Sequence, residues 1–536
     1  MLTSFQRMDR RLHYITLAVI LLCGVLLRTV HLGVPALSGD EYFDTFAARS
    51  WLTTGTFQVP GREAYLRGLP MILATAFSFS IFGESEWSAR LPALLFGIAT
   101  LPLMYLAGRM FFGRVAAFVA TALLVFSPHG VDVSRYARLY ALLTLLVLAC
   151  AMATYRALEG TGEEGPRLTP GRFTYYALAA ICGLLAMTLH PVIVSLAVAF
   201  QTYVTCMAAA AFVQGDREAA ARYGGMAGVL LLGEAAVFMV SPLRDRLLQA
   251  ALQPLPWFKP APGQNWIAYD HLASHYGLTW YAAIPATLLV LLHFRRRGLF
   301  VALSFWLPFL FISIVVATKH YRYIFQLLPL LWLTLGGAAQ VLVERFRAVG
   351  ESWQSRRLRW SDGVFAGAAL VLVLAAGPGF GRAAVTSVRR PWQSTGTFTT
   401  GYFYDWRGLG RDLTPLLASD AHVVSDMSYS TIYYLRRPSV QLIGSHRQLG
   451  VGDWENPDPD ESKYVLDIDQ LIPLRSRRPV WIIATSGRWR QGFFQPSLTK
   501  YVETNCARVP TTATFVVAFN CPRSPGQHGS EAVERS

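Results

Sequence analysis

Long apolar runs alternate with short, arginine-bearing connections along most of this chain, and no other feature restricts its fold as strongly. A helix needs some 20 residues to cross a bilayer core. Runs of about that length fall near 13–32, 89–107, 115–128, 139–157, 173–189, 191–212, 224–243, 277–292, 299–317, 323–343 and 363–382. They predict a polytopic α-helical membrane protein with about eleven transmembrane helices. Only 15% of the residues are charged, against about a quarter in soluble domains, and 53% are hydrophobic. The formal charge of +15 does not read as a nucleic-acid surface, because most arginines lie between apolar runs.

Those arginines carry topology. With the N-terminus inside, the inner connections hold Arg109 and Arg114, then Arg156, Arg167 and Arg172, then Arg217 and Arg222, then Arg295–Arg297, then Arg345, Arg347, Arg356, Arg357 and Arg359. The short outer loops hold fewer, Arg135 and Arg138, then Lys319 and Arg322. This is the positive-inside bias. Met1–Arg11 is basic, but no small-residue cleavage site follows Ile15–Leu32, so that run reads as a retained first span. Within the first outer loop, 33–88, Asp40–Leu52 reads as an amphipathic helix. Leu69–Phe82 is apolar but short, and both segments read as interfacial helices. Counting 69–82 as a span would invert every later loop and break the charge bias.

An odd number of spans places the C-terminal part outside. His422–Met427, Ser439–Ile443, Tyr464–Ile468, Val480–Thr485 and Phe515–Cys521 read as strands; Leu409–Ala418, Tyr429–Arg437 and Phe493–Thr504 read as helices. The expected organisation is a membrane module over 1–387, a small outer α/β domain over 388–523 and a polar, disordered tail over 524–536. No glycine-rich phosphate loop follows any of the strands. Cys23, Cys150, Cys182 and Cys206 sit in apolar runs, whereas Cys506 and Cys521 make a plausible disulfide in an oxidising compartment.

The polar residues of the outer loops converge on one side of the membrane. Ser38–Gly39–Asp40–Glu41–Tyr42 follows the first span directly. A carboxylate so near hydrocarbon is costly unless solvated, paired or used. Asp40 reads either as a helix cap or as a catalytic group. His271 and His275 stand at i, i+4, a spacing two metal ligands can share, but only Asp270 lies beside them as a third, and no metal site is assigned.

Four segments resemble the integral-membrane GT-C glycosyltransferases, in particular the lipid A aminoarabinose transferase and protein O-mannosyltransferase group. They are Asp40–Glu41 after the first span, the run from Tyr65 to Arg114, Ser127–Leu143, and Leu189–Pro191 with Lys319–Leu331. The resemblance implies an inverting transfer of a sugar from a polyprenyl-phosphate donor of the undecaprenyl kind. The acceptor would be a lipid such as lipid A, a glycan or a protein, on the periplasmic face of a bacterial inner membrane. It implies Asp40 as catalytic base with Glu41 beside it. Tyr65, Arg67, Asp132, Arg138, Tyr140, His190, Lys319 and Arg322 are the substrate-binding candidates. Arg67 falls on the group's basic position, with Leu66 before it. Tyr140 stands where many members carry an acid, and Asp132 is the candidate substitute. No cofactor is called for; a divalent metal would need the acid that Tyr140 replaces.

The chemistry agrees with the resemblance. Glycosyl transfer needs a base for the acceptor hydroxyl, and the anionic lipid phosphate needs cations at interfacial depth. Interfacial arginines also snorkel to headgroups without any such role. An activated lipid-linked donor needs no nucleotide site. A transporter or flippase of lipid-linked sugars would place charges mid-span, and the spans here are nearly free of them. A non-catalytic assembly subunit would have no use for Asp40.

Overall fold

The computed structural model describes residues 2–61, 64–162, 165–167, 169–240, 266–314, 321–352, 377–389, 403–442 and 464–523. Six helices among them are long and apolar enough to cross a membrane, or seven if one bent pair is a single span. Most of the run expected near 363–382 lies outside the described residues.

Helix α1 (Leu2–Thr29) leads into the first outer loop. That loop carries two short helices, α2 (Glu41–Thr54) and α3 (Leu69–Phe82). Gly68, at φ +76, supplies the left-handed turn that starts α3. A reciprocal Ser85–Ser88 capping box opens α4 (Glu86–Phe111). Helix α5 (Arg114–Phe126) ends at Ser127–Pro128, where the residue before proline leaves the helical region. The chain bends by 63° into α6 (Pro128–Ser134), so the expected second outer loop is largely helical.

The bend leaves carbonyls of α5 without helical partners, and an arginine fills them. The buried Arg28 donates to Leu124 O and Val125 O at 3.1 and 3.2 Å, and to Ser134 Oγ at 3.1 Å. Arg135 in turn donates to Leu27 O and Val30 O at the end of α1. Gly97 of α4 allows the close approach, since a Cβ there would collide with Ser134.

Helices α7 (Tyr140–Glu159), α8 (Pro170–Leu189), α9 (Val194–Val213) and α10 (Arg217–Val240) follow. An outer helix, α11 (Ile267–Tyr276), precedes α12 (Ala283–Ile314), which breaks at Arg295. The two runs expected at 277–292 and 299–317 meet at that break. Glu159 is buried where α7, α9, α10 and α12 meet, accepting from Tyr203 Oη at 2.8 Å, Tyr223 Oη at 2.6 Å and Arg296 Nη1 at 3.1 Å. A 3₁₀ segment, Tyr321–Leu327, leads into α13 (Leu328–Ser352), whose Leu330, Leu331, Trp332 and Leu333 are buried in the bundle. Ile181 and Leu184 on α8, Leu232 on α10 and Leu292 on α12 remain exposed, as on lipid-facing surfaces. This is a multi-pass membrane protein.

After α14 (Pro378–Arg389), residues 403–442 and 464–523 build a six-stranded sheet in the order β3-β2-β1-β4-β6-β5. The strands are β1 (His422–Ser425), β2 (Val440–Leu442), β3 (Tyr464–Val465), β4 (Val480–Thr485), β5 (Ala507–Arg508) and β6 (Val516–Cys521). The first four are parallel and the last two antiparallel. Strand alternation feeds two cores. Val424, Ile482 and Ala484 face Leu471, Leu498 and Val502; Val423, Trp481 and Ile483 face Trp406, Leu409 and Leu413. Both faces are covered, so β4 is buried throughout and reads as a continuous apolar run. Cys506 and Cys521 are joined by a disulfide. Strand β5 and the helix Ile468–Arg477 have no counterpart in the sequence reading.

The sheet region docks on the first outer loop. Tyr42 Oη donates to Leu37 O at 2.7 Å and lies 2.9 Å from Ser430 Oγ. Tyr434 Oη accepts from Leu37 N at 2.8 Å, and Arg407 donates to Glu86 at 2.7 Å. Beneath this contact lies a buried ion pair, Glu41 with Arg90 of α4. Arg90→Leu leaves Glu41 charged and unmatched, which costs about 3–5 kcal/mol for buried pairs. The midpoint of denaturant unfolding in detergent should fall accordingly; an unchanged midpoint would show that the pair does not hold the loop.

Candidate active site

Asp40 stands at the N-cap position of α2, but its backbone is already helical and its side chain makes no capping bond. The carboxylate is turned to other partners. Arg322 Nη1, on the 3₁₀ segment, donates to Asp40 Oδ2 at 2.7 Å. Arg138 Nη2 lies 3.9 Å from the same oxygen. The Asp40 side chain keeps 22% of its surface exposed, so a substrate can reach it. Burial pushes its pKa up, but Arg138, Arg322 and Arg67 together hold it below the usual carboxylate range.

Glu41, one residue on, has a different environment. It is fully buried and meets Arg90 through two 2.8 Å bonds. It also accepts from Ser38 N at 3.0 Å and Ala137 N at 2.9 Å. Four donors leave little acceptor capacity for a substrate.

Asp44 follows Asp40 by one helical turn and is also fully buried. Its Oδ1 accepts from Arg138 Nη1 at 2.6 Å, while among the described residues no hydrogen-bond partner meets its Oδ2. Arg138 Nη1 also donates to Tyr65 Oη at 2.8 Å. Burial, reinforced by the Asp40 charge and opposed by Arg138, pushes Asp44 up to about 7. Asp44 is not among the residues the sequence singled out for the site; its i, i+4 relation to Asp40 was the available signal. Asp132, the expected second carboxylate, exerts its charge instead on Arg135 and Tyr276.

Arg67 is partly buried, and among the described residues it has no hydrogen-bond or ion-pair partner. Its charge still acts on Asp40, Asp44 and His190. His190 caps the turn after α8, its Nδ1 accepting from Val192 N at 3.2 Å. That bond assigns the proton to Nε2, which is buried with no acceptor. Burial first, then Arg67 and Arg138, lower its pKa to about 3, so the ring is neutral. The Tyr140 ring is buried under the fields of Arg322, Arg138, Asp40 and Arg67. Lys319 lies outside the described residues. The structure thus brings together Asp40, Tyr65, Arg67, Arg138, Tyr140, His190 and Arg322, adds Asp44, and sets Glu41 in a buried pair. Three guanidiniums already face two carboxylates here, so a divalent cation would meet no uncompensated charge.

The fold has solved counterparts. ArnT from Cupriavidus metallidurans aligns over 95% of this chain and 97% of its own, with a TM-score of 0.57 and 15% identity. The chain has the GT-C fold. A second ArnT structure, bound to undecaprenyl phosphate, aligns with a TM-score of 0.55 and 15% identity over 95% of this chain and 97% of its own. The Archaeoglobus fulgidus oligosaccharyltransferase aligns with a TM-score of 0.60 and 14% identity, over 89% of this chain and 70% of its own. Residues 70–204 match the family described as dolichyl-phosphate-mannose-protein mannosyltransferase. A Bacillus subtilis (strain 168) protein named "Putative mannosyltransferase YkcB" is 35% identical over 79 residues, 15% of this chain. The match spans only 11% of that relative.

The Asp44 environment has a measurable consequence. In the unfolded chain Asp44 loses its proton near 3.8, in the folded chain near 7. Between those values the folded state holds the extra proton, so this group makes stability fall as pH rises from about 4 to about 7. Asp44→Asn should flatten that slope in melting curves taken across the window. A slope equal to wild type would place the carboxylate in solvent.

Proposed function

We propose that this chain is an inverting glycosyltransferase that moves a sugar from a polyprenyl-phosphate donor to a hydroxyl-bearing lipid, glycan or protein acceptor. The observation that carries the reading is Asp40, partly exposed and making no capping bond, beside Arg322 and Arg67. A base accessible to substrate thus stands next to two cations, of which Arg67 has no hydrogen-bond or ion-pair partner among the described residues. The ArnT relative solved with undecaprenyl phosphate supports a lipid-phosphate donor.

In this mechanism Asp40 takes the proton of the acceptor hydroxyl as its oxygen attacks the anomeric carbon. The bond from that carbon to the phosphate oxygen breaks on the opposite face, and the configuration inverts. The donor phosphodiester carries one negative charge and the departing monoester up to two. Arg322 links the two ends of the reaction: as Asp40 gains its proton it releases Arg322, and the phosphate gains the charge that draws it. Arg67 and the His190 Nε2–H supply the remaining contacts to the phosphate. Asp44, sealed behind Arg138, anchors that arginine and lacks access to substrate. Glu41 is a positioning residue.

The same reading places the N-terminus in the cytoplasm, and Asp40 and residues 388–523 on the periplasmic side of a bacterial inner membrane. Its supports are the arginine bias and the contacts of the sheet region with Leu37 and Tyr42. Membrane-impermeant thiol labelling of Asp420→Cys should succeed from outside only; labelling from the cytoplasm would overturn the placement.

The two halves of the mechanism separate by mutation. Asp40→Asn should lower turnover about 10²–10⁴-fold with donor binding retained. Arg67→Ala should weaken donor binding by about 1.5–3 kcal/mol, as for a hydrogen bond to a charged group. Titration with polyprenyl-phosphate sugars and a product assay in lipid read both. Wild-type turnover by a folded Asp40→Asn chain would remove Asp40 as the base.

A further inference from the structure

Away from the carboxylates, three histidines converge. His271 and His275 lie one turn apart on α11, and His129 comes from α6. One ring nitrogen from each falls within 4.8 Å of the others. His129 Nε2 and His271 Nε2 are 2.8 Å apart. The ring centroids of His271 and His275 are 4.3 Å apart, and those of His129 lie 5.0 and 5.1 Å from them.

The outer nitrogens of two of the rings are already engaged. His129 Nδ1 lies 2.5 Å from Tyr276 Oη, which lies 2.7 Å from Ser127 Oγ. His275 Nδ1 donates to the His271 carbonyl at 2.8 Å. The carbonyl puts the His275 proton on Nδ1 and leaves its Nε2 bare; the Tyr276 hydroxyl can accept from His129 Nδ1 in the same way, which bares His129 Nε2. This is how metal-bound imidazoles are oriented from behind. The bland alternative is a histidine hydrogen bond. One proton between His129 and His271 satisfies those two rings and leaves His275 Nε2 unmatched. A second proton would set imidazoliums in contact. One cation would serve all three.

We propose that His129, His271 and His275 bind one divalent transition-metal ion of the zinc class, through three Nε2 atoms with a fourth position open. Imidazole donors favour this class over Mg²⁺ and Ca²⁺, which take oxygen ligands. Tetrahedral zinc at 2.0–2.1 Å from each nitrogen needs about 3.3 Å between nitrogens. The 2.8 Å pair therefore opens by about half an ångström, a small movement for two ring torsions. His271 and His275 are partly exposed, which gives the ion an entry path. The site also reaches the catalytic side. The His129 ring packs at 4.5 Å on Phe325, in the 3₁₀ segment that carries Arg322. A bound ion ties α6 to α11 around that segment and is positioning, not catalytic.

The test uses the full chain, free of any histidine tag, in lipid nanodiscs. After equilibration with Zn²⁺ and removal of free ion, elemental analysis should find one zinc per chain. Loading with Co²⁺ instead should give visible d–d absorption, and excess Mg²⁺ or Ca²⁺ should displace neither. His275→Ala, at a partly exposed position, and the double variant His271→Gln/His275→Gln should lose the metal and the absorption. His422→Ala, on β1, should keep both. Zinc should raise the melting temperature of the wild type and of His422→Ala only. A wild-type chain that keeps no zinc, or a folded double variant that keeps it in full, overturns the proposal.

Discussion

The buried Glu41–Arg90 pair sets the register of everything around the site. Arg90 spends its remaining donors on Leu32 O, Pro35 O and Ala36 O, at 2.8–3.0 Å, and so fixes the path from α1 to α2. Glu41 accepts from Ala137 N and fixes the second outer loop as well. The neighbours of these two residues are Asp40 and Arg138. One ion pair, through single peptide steps on each side, thereby sets Asp40 against Arg138. Buried pairs contribute little net stability, because desolvation offsets most of their attraction. What this pair contributes is placement, and its full complement of donors is what makes its burial tolerable.

Placement also explains why two aspartates one turn apart differ. Asp40 sits at the open end of α2 with Arg322 in contact, and stays ionised. Asp44 lies deeper, shares Arg138 with Tyr65, and is pushed up to about 7. A pKa near neutrality suits a general base. Access decides otherwise, because Asp44 is fully buried while Asp40 is not. The arginine between them keeps Asp40 charged at the same time as it hides Asp44.

Local pattern made much of this legible. The bounds of α3 and β4 follow from apolar runs that end at glycine or at turns, and the structure matches both. The interfacial reading of α3 came from its short length and from charge bias, a property of the whole chain. Partnerships across long separations were not legible. Glu41 and Asp40 look alike in sequence, and only Arg90, 49 residues on, makes one of them structural. His129 is a lone histidine until α11, 142 residues later, folds against it. Arg28 looks like an interfacial cation until the Pro128 bend leaves carbonyls for it to fill. The resemblance pointed to an acid near Tyr140, which drew attention away from Asp44, whose partner also lies on another segment.

The C-terminal sheet completes the enclosure of α2. Tyr429 and Tyr433 pack with Tyr42, Phe43 and Phe46 on the face of α2 that looks away from the membrane helices. Without that cover three of the four aromatic side chains of this short helix would lose their packing, and helices of 14 residues are marginal on their own. The Ser430 and Tyr434 hydroxyls reach the same turn that positions Asp40. The sheet region is therefore part of what holds Asp40 in place.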